Sequence, residues 1–234
     1  MSLFESPQRA VDSRTPLLLS WSGGKDSAMA LWQLQQSPRW RVTALLTTLT
    51  RDFDRISMHG VRRELLQRQA QALQLPLQCM WINAGASNTE YEASFAEAAR
   101  SAREQATGHV AFGDLYLREV RAYRERLLQQ QRLTAEFPLW GRDTSELIAA
   151  FLQLGFKAVV VCVDPRQLPR EFVGRLIDSH FLQQLPPGVD PCGENGEFHS
   201  FVFDGPNFSE PIALQTGAIV LRDQFWFCDV LPRD

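Results

Sequence analysis

Ser22-Gly23-Gly24-Lys25-Asp26-Ser27 is the densest group of chemistry-bearing residues in the chain. Two glycines let a backbone bend tightly and approach a ligand closely, so successive N–H groups can converge on an anion, with Ser22, Lys25 and Ser27 adding side-chain donors. The group follows the apolar run Leu17-Leu18-Leu19 and precedes an amphipathic stretch, a setting in which a helix N-terminus also faces the anion. It is not the G-x-x-x-x-G-K-[ST] phosphate loop, because no glycine stands at the required distance upstream. The competing structural reading is an ordinary strand-to-helix turn capped by Asp26 or Ser27. A second constellation is Cys192-Gly193-Glu194-Asn195-Gly196-Glu197-Phe198-His199-Ser200, a glycine-bearing loop that can turn Glu194 and Glu197 inward as paired carboxylates for proton handling, with His199 orienting it. Two solvated loop acids and a satisfied strand histidine are the plainer alternatives.

The elements that must position these groups alternate. Apolar strands at 17–19, 42–49, 77–82 and 109–112 are separated by helical stripes, among them Val61, Leu65, Leu66, Ala70 and Leu73, and then Tyr91, Phe95, Ala98, Ala99 and Ala102. Tyr116, Val120, Tyr123 and Leu127 mark the next helix, and Asn88 or Thr89 is the expected cap of the one before it. This rhythm predicts an α/β fold with a parallel, doubly wound sheet covered on both faces, whose ligands lie beyond the carboxyl ends of the strands. After Leu133 it loosens into a helix over 143–154, a strand over 158–163, a helix from about 171 to 182, a glycine-rich loop and closing strands at 200–203, 212–221 and 224–230. The expected organisation is a disordered arm (1–14), a nucleotide-binding domain (15–132) and a smaller α+β C-terminal domain on the substrate side (133–234).

Composition narrows the partners. With 44% hydrophobic residues in 234, the chain can bury a core, and its longest uninterrupted apolar run, Ala158 to Val163, is far short of the roughly 20 residues of a membrane span. The first fourteen residues carry charges and no apolar stretch, unlike a secretory signal, so the expectation is a cytoplasmic protein without membrane contact. A net charge of −3 weighs against nucleic acid as a partner. Of 24 basic residues only Lys25 and Lys157 are lysines, which singles out Lys25. Cys79, Cys162, Cys192 and Cys228 form no C-x-x-C pair, so neither zinc nor a redox dithiol is signalled, and only Cys192 lies beside a chemistry-bearing loop. A homodimer is compatible with the sequence.

The S-G-G-x-D-S loop after the first strand resembles the PP-loop of N-type ATP pyrophosphatases, within the HUP-like, adenine nucleotide alpha-hydrolase-like fold. Gly113 before a helix with Arg121 and Glu125, then Pro138-Leu139-Trp140, and above all the Gly-Glu-x-Gly-Glu stretch from Gly193 to Glu197, resemble the diphthine-ammonia ligase family over nearly the whole chain. The resemblance implies a ligase that transfers AMP from ATP to an acceptor carboxylate, releases pyrophosphate, and couples the acyl-adenylate to ammonia. The implied acceptor is diphthine on elongation factor 2.

In that frame Ser22 to Ser27 holds the β and γ phosphates, Asp26 is the magnesium-side carboxylate, and His59 and Gly113 lie near the nucleotide. Glu194 or Glu197 binds ammonium and takes its proton, with Glu197 the favoured base. Arg121 approaches the α phosphate or the acceptor carboxylate, and Glu125, Trp140, His199 and Ser200 lie on the substrate side. Trp21 and Trp140 are candidates to hold the acceptor's trimethylammonium by cation-π contact. Arg118, Arg124 and Arg126 are assigned to solvent, and for His59 a helix-capping role competes. Two other functions fit the loop: a PP-loop enzyme modifying tRNA or another small acceptor, and an ATP-sensing module without turnover. The missing sulfur-relay cysteine pair and basic face count against the tRNA reading.

Overall fold

A computed structural model describes residues 12–57 and 59–233. Of the expected arm, residues 1–11 lie outside the described residues. The first sheet is built from β1 (Thr15–Ser20), β2 (Trp40–Thr50), β3 (Arg55–Ile56), β4 (Leu77–Ile82), β5 (His109–Ala111) and β6 (Thr134–Glu136). Between them run the helices α1 (Lys25–Gln35), α2 (Arg63–Ala72), α3 (Asn88–Glu104) and α4 (Arg118–Gln130). Parallel pairing gives the order β4-β2-β1-β5-β6, and the short β3 adds antiparallel to the end of β2. The chain winds outward from β1 through β2 to β4, then returns to the other side of β1 as β5. The order therefore reverses between β1 and β5, the switch point at which doubly wound sheets open a crevice for ligands.

Side chains alternate across the sheet as a strand's pleat requires. Leu17 and Leu19 join the core beneath α1 and α2, while Leu18 joins Phe95, Ala99 and Leu128 of α3 and α4 on the other face. Both faces are thus covered, as expected for parallel strands that read as continuous apolar runs. The cap of α3 is Ser87, not Asn88 or Thr89, because Ser87 and Glu90 close a reciprocal capping box.

The second sheet follows α5 (Thr144–Gln153) and contains β7 (Lys157–Val163), β8 (Phe198–Asp204), β9 (Leu214–Arg222) and β10 (Phe225–Pro232), antiparallel in the order β8-β7-β10-β9. The helix expected from 171 to 182 is instead a 3-10 turn (Arg170–Phe172) and a short α6 (Ser179–Gln183). Between them Gly174 donates to Val160 O (2.8 Å), Val160 donates to Arg175 O (2.8 Å) and Ile177 donates to Ala158 O (2.9 Å). Pairing the buried edge of β7 outweighs local helical preference there. β6, just past the expected division at 133, belongs to the first sheet through β5. The two sheets share one core, in which Leu17, Leu31 and Leu65 pack in the same cluster as Val160, Phe198 and Phe201.

Candidate active site

β1 ends at Ser20 and the chain turns through residues 21–24 into α1, whose N-cap, Gly24, makes no side-chain capping bond. The first turn of α1 therefore presents N–H groups and the positive end of the helix dipole to the crevice. The loop is braced internally: Gly24 N donates to Ser22 Oγ (3.2 Å), Ser27 Oγ donates to Gly24 O (2.9 Å), and the Ser22 and Ser27 hydroxyls are 3.2 Å apart. It is braced from outside by β8. Val202 N donates to Gly23 O (2.9 Å), Gln69 Nε2 donates to both Gly23 O (2.9 Å) and Val202 O (2.6 Å), and Lys25 N donates to Ser200 Oγ (3.2 Å).

β5 approaches the same loop from the other side. A Cβ on Gly113 would stand 2.9 Å from the backbone carbonyl of Asp26, so only glycine lets the end of β5 pack there. Between them opens a cleft of about 260 Å³, walled by Ser22 and Gly24 to Ser27 on one side and by Gly113, Asp114, Leu117 and Arg124 on another. Gly193, Glu194, Phe198, His199 and Ser200 of the second motif complete it, with His59. The two segments singled out in the sequence, Ser22 to Ser27 and Cys192 to Ser200, therefore face each other across one crevice.

Lys25 is 4% exposed, its Nζ 2.8 Å from Asp26 Oδ2 and 5.5 Å from the Phe198 ring centre. Burial opposes its charge, but Asp26, Cys192 and Glu194 together hold its pKa above the ordinary lysine value. Asp26 is shifted upward by burial, with Lys25 opposing the shift, and its Oδ1 is buried without a hydrogen-bond partner. Glu194 lines the cleft, accepts from Leu115 N (3.0 Å), and has its pKa pushed up to about 7, by burial first and then by Asp26 and Asp114 against the pull of that hydrogen bond and Lys25. A carboxyl poised near neutrality can exchange a proton with a reacting amine.

Glu197, the favoured base in the sequence, does not line the cleft. It is 1% exposed, and its Oε1 accepts from Asp190 N (2.9 Å) and Asn195 Nδ2 (3.1 Å), its Oε2 from Asn195 N (2.9 Å). It ties the loop that carries Glu194. Glu197→Gln puts an NH₂ against one of these N–H donors, and a loss of about 1–3 kcal/mol in denaturant unfolding is expected. Unchanged stability with a selective loss of amide formation would restore Glu197 as the base.

His59 and His199 stack at the cleft wall with ring centres 4.3 Å apart. His59 lies in a turn before α2 and does not cap it; the N-cap of α2 is Arg62. Burial, then His199 and Lys25, hold the His59 pKa well below its usual value, and burial, then Lys25, lower His199 to about 4. The unfolded chain binds more protons at His199 between about pH 4 and 6.5, so this group's stability contribution falls as pH drops through that window. The fall in melting temperature on acidification should be smaller in His199→Asn than in the parent; equal slopes would refute the assignment. His199 also lines a second cavity of about 370 Å³, walled by Phe53, Ile56, Phe225 and Phe227.

Other expected site residues lie elsewhere. Arg121 pairs with Glu125 (2.8 Å) on the outer face of α4 and covers the Trp140 ring at 4.6 Å, so none of the three lines the cleft. Trp21 is buried, its Nε1 donating to Gln69 Oε1 (2.8 Å), which removes it as a cation-π wall. Arg124, assigned to solvent, instead reaches the cleft, ion-paired with Asp114. The signal was present: Leu117, Arg124 and Leu128 fall on one face of α4, and Leu128 is core. Cys192 donates to Thr144 O (3.3 Å), and burial pushes its thiol up to about 12, leaving it a packing residue.

The family model described as the diphthamide synthase N-terminal domain matches residues 16–134, and that of the diphthamide synthase C-terminal domain matches residues 143–231. The chain belongs to the diphthamide synthase family. It is similar to the diphthine--ammonia ligase of Schizosaccharomyces pombe, 25% identical over 218 residues that cover 85% of this chain and 36% of that protein. The human diphthine--ammonia ligase is 28% identical over 97 residues, 39% of this chain and 36% of its own, and that of Danio rerio is 29% identical over 97 residues, 39% and 38%. The chain thus spans little more than a third of the length of these curated relatives. Among the described residues no helix is long and apolar enough to cross a membrane.

Proposed function

We propose that the chain is an ATP-dependent ligase that adenylates a diphthine-like acceptor carboxylate and couples it to ammonia, releasing AMP and pyrophosphate. The observation that carries this is the shared cleft, in which an uncapped helix N-terminus and a buried lysine face a carboxyl poised near pH 7. The loop N–H groups and Lys25 hold the β and γ phosphates, and the aromatic cavity beyond His199 takes the base, with His59 beside it. The acceptor carboxylate oxygen attacks the α phosphorus as the bond to the departing pyrophosphate breaks, and the phosphate donors offset the charge that develops. Glu194 binds ammonium and takes its proton, and the freed ammonia displaces AMP from the acyl carbon to leave the amide, the second proton lost by the nitrogen departing with the AMP phosphate.

Asp26 suits a magnesium ion, because its Oδ1 is buried without a hydrogen-bond partner and magnesium is commonly held by one or two carboxylates plus substrate phosphates. The ion, when bound, would neutralise phosphate charge there. Incubation with ATP, ammonium and diphthine-bearing elongation factor 2 tests the reading: AMP, pyrophosphate and amide should form in equal amounts. Intact bound ATP would favour a sensing module instead, and turnover that requires tRNA a modifying enzyme.

A further inference from the structure

Gln69 stands where the pattern of α2 calls for an apolar residue. It lies one turn after Leu65 and one turn before Leu73, both of which enter the core, and it is itself 0% exposed. An amide buried there is costly unless it is hydrogen-bonded, and both ends of this one are. Trp21 Nε1, which can only donate, gives its hydrogen to Gln69 Oε1 (2.8 Å) and so decides which way the amide is turned. Both hydrogens of Nε2 are then aimed at backbone carbonyls, Gly23 O (2.9 Å) and Val202 O (2.6 Å). Gly23 O also accepts from Val202 N (2.9 Å), so both of its lone pairs are occupied, one by α2 and one by β8.

The Gly23 carbonyl and the Gly24 N–H belong to one peptide unit, and in a planar trans peptide they point in opposite directions. Gly23 O is held toward α2 and β8, so Gly24 N–H is held toward the cleft, where its partner is the hydroxyl of Ser22 on the cleft wall (3.2 Å). The pair of glycines offers little resistance of its own to turning this peptide over, since Gly23 sits at φ +75° and neither residue has a Cβ to bar other conformations. We propose that Gln69 is a positioning residue for the phosphate loop, its amide holding the Gly23–Gly24 peptide with the N–H toward the β and γ phosphates. Turned over, the peptide would set a carbonyl oxygen against the phosphates in place of a donor. Without Gln69 the carbonyl keeps only the bond from Val202 N. This inference rests on the phosphate-binding role of the loop in the ligase reading and names the residue that sets its donor geometry.

The test compares ATP with AMP, which lacks the two phosphates that the Gly24 N–H faces. Gln69→Met keeps the length of the side chain and removes its amide; calorimetric titration should show the affinity for magnesium-ATP falling about tenfold, the worth of roughly one hydrogen bond, with the affinity for AMP unchanged. Trp21→Phe leaves a large ring in the core but frees the amide to turn over, and should give a smaller loss in the same direction; it carries the same measurements if Gln69→Met does not fold. Leu73→Ala, a cavity on the same face of α2, should lower the melting temperature without altering the ratio of the two affinities. Loss of ATP and AMP affinity together, an unchanged ratio in both Gln69→Met and Trp21→Phe, or an equal change in Leu73→Ala overturns the assignment. Residual dipolar couplings of the Gly24 N–H in the ligand-free proteins give a readout independent of any nucleotide. The N–H vector should turn in Gln69→Met and hold in Leu73→Ala; an unturned vector in Gln69→Met refutes the role. If the parent binds ATP no more tightly than AMP, the phosphate-loop reading fails, while the couplings still decide whether Gln69 sets this peptide.

Discussion

Glu194→Gln is expected to slow amide formation by about 10² to 10⁴ while ATP binding survives, the range typical for loss of a general base. Glutamine keeps the acceptor for Leu115 N and the size of the side chain, so the loop should hold its place. What is lost is the ionisation that burial brings to about pH 7. The parent rate of amide formation should rise with pH through an inflection near that value, and the inflection should vanish in the variant. The same shift has a stability consequence of opposite sign to that of His199. Between about pH 4.5 and 7 the native state binds more protons at Glu194 than the unfolded chain, so this contribution is present at low pH and lost as pH rises. Glu194→Gln should remove that downward slope. Single-turnover measurement of amide yield alongside acceptor-dependent pyrophosphate exchange separates the two half-reactions. Retained exchange with lost amide supports Glu194 as the base; loss of both steps together would move it to nucleotide binding.

Gly24→Val should weaken ATP binding by about tenfold to a hundredfold, read by calorimetric titration, because overpacking a tight site typically costs 1–3 kcal/mol. A Cβ at this position would stand 3.1 Å from the backbone oxygen of Ser200 and 3.3 Å from Ser22 Oγ, and valine adds two further methyls. The loop would have to swing away from β8, loosening the Lys25 N to Ser200 Oγ bond that sets the first turn of α1. Since β8 is part of the shared core, the loop is the partner that gives way. Unchanged ATP affinity would show that the phosphates do not approach this backbone.

Much of the fold is legible along the chain because it rests on local pattern. Leu17 to Leu19 reads as a buried strand, a Gly-Gly turn follows it, and amphipathic stripes alternate with short apolar runs through Leu127. The Ser22 to Ser27 turn is legible for the same reason, since converging backbone donors need only a particular turn between a strand and a helix. The segment from 171 to 182 misled, because its helical spacing competes with hydrogen bonds to β7 that no local window contains.

Within the second motif, the sequence alone established that two acids share a glycine-bearing loop, and nothing in their spacing distinguished them. Tertiary structure separated their environments: Glu197 turns back to close its own loop, while Glu194 is carried against Leu115 and into the cleft. Arg121 and Arg124 differ in the same way. Both are arginines on one helix, three residues apart, but a rotation of about 300° between them sends one to the Trp140 face and the other to Asp114. Residue type and turn chemistry are encoded within a few positions of the chain. Which charged side chain is desolvated, and against what, depends on contacts between segments far apart in sequence, and those arise only when the two sheets close on their common core.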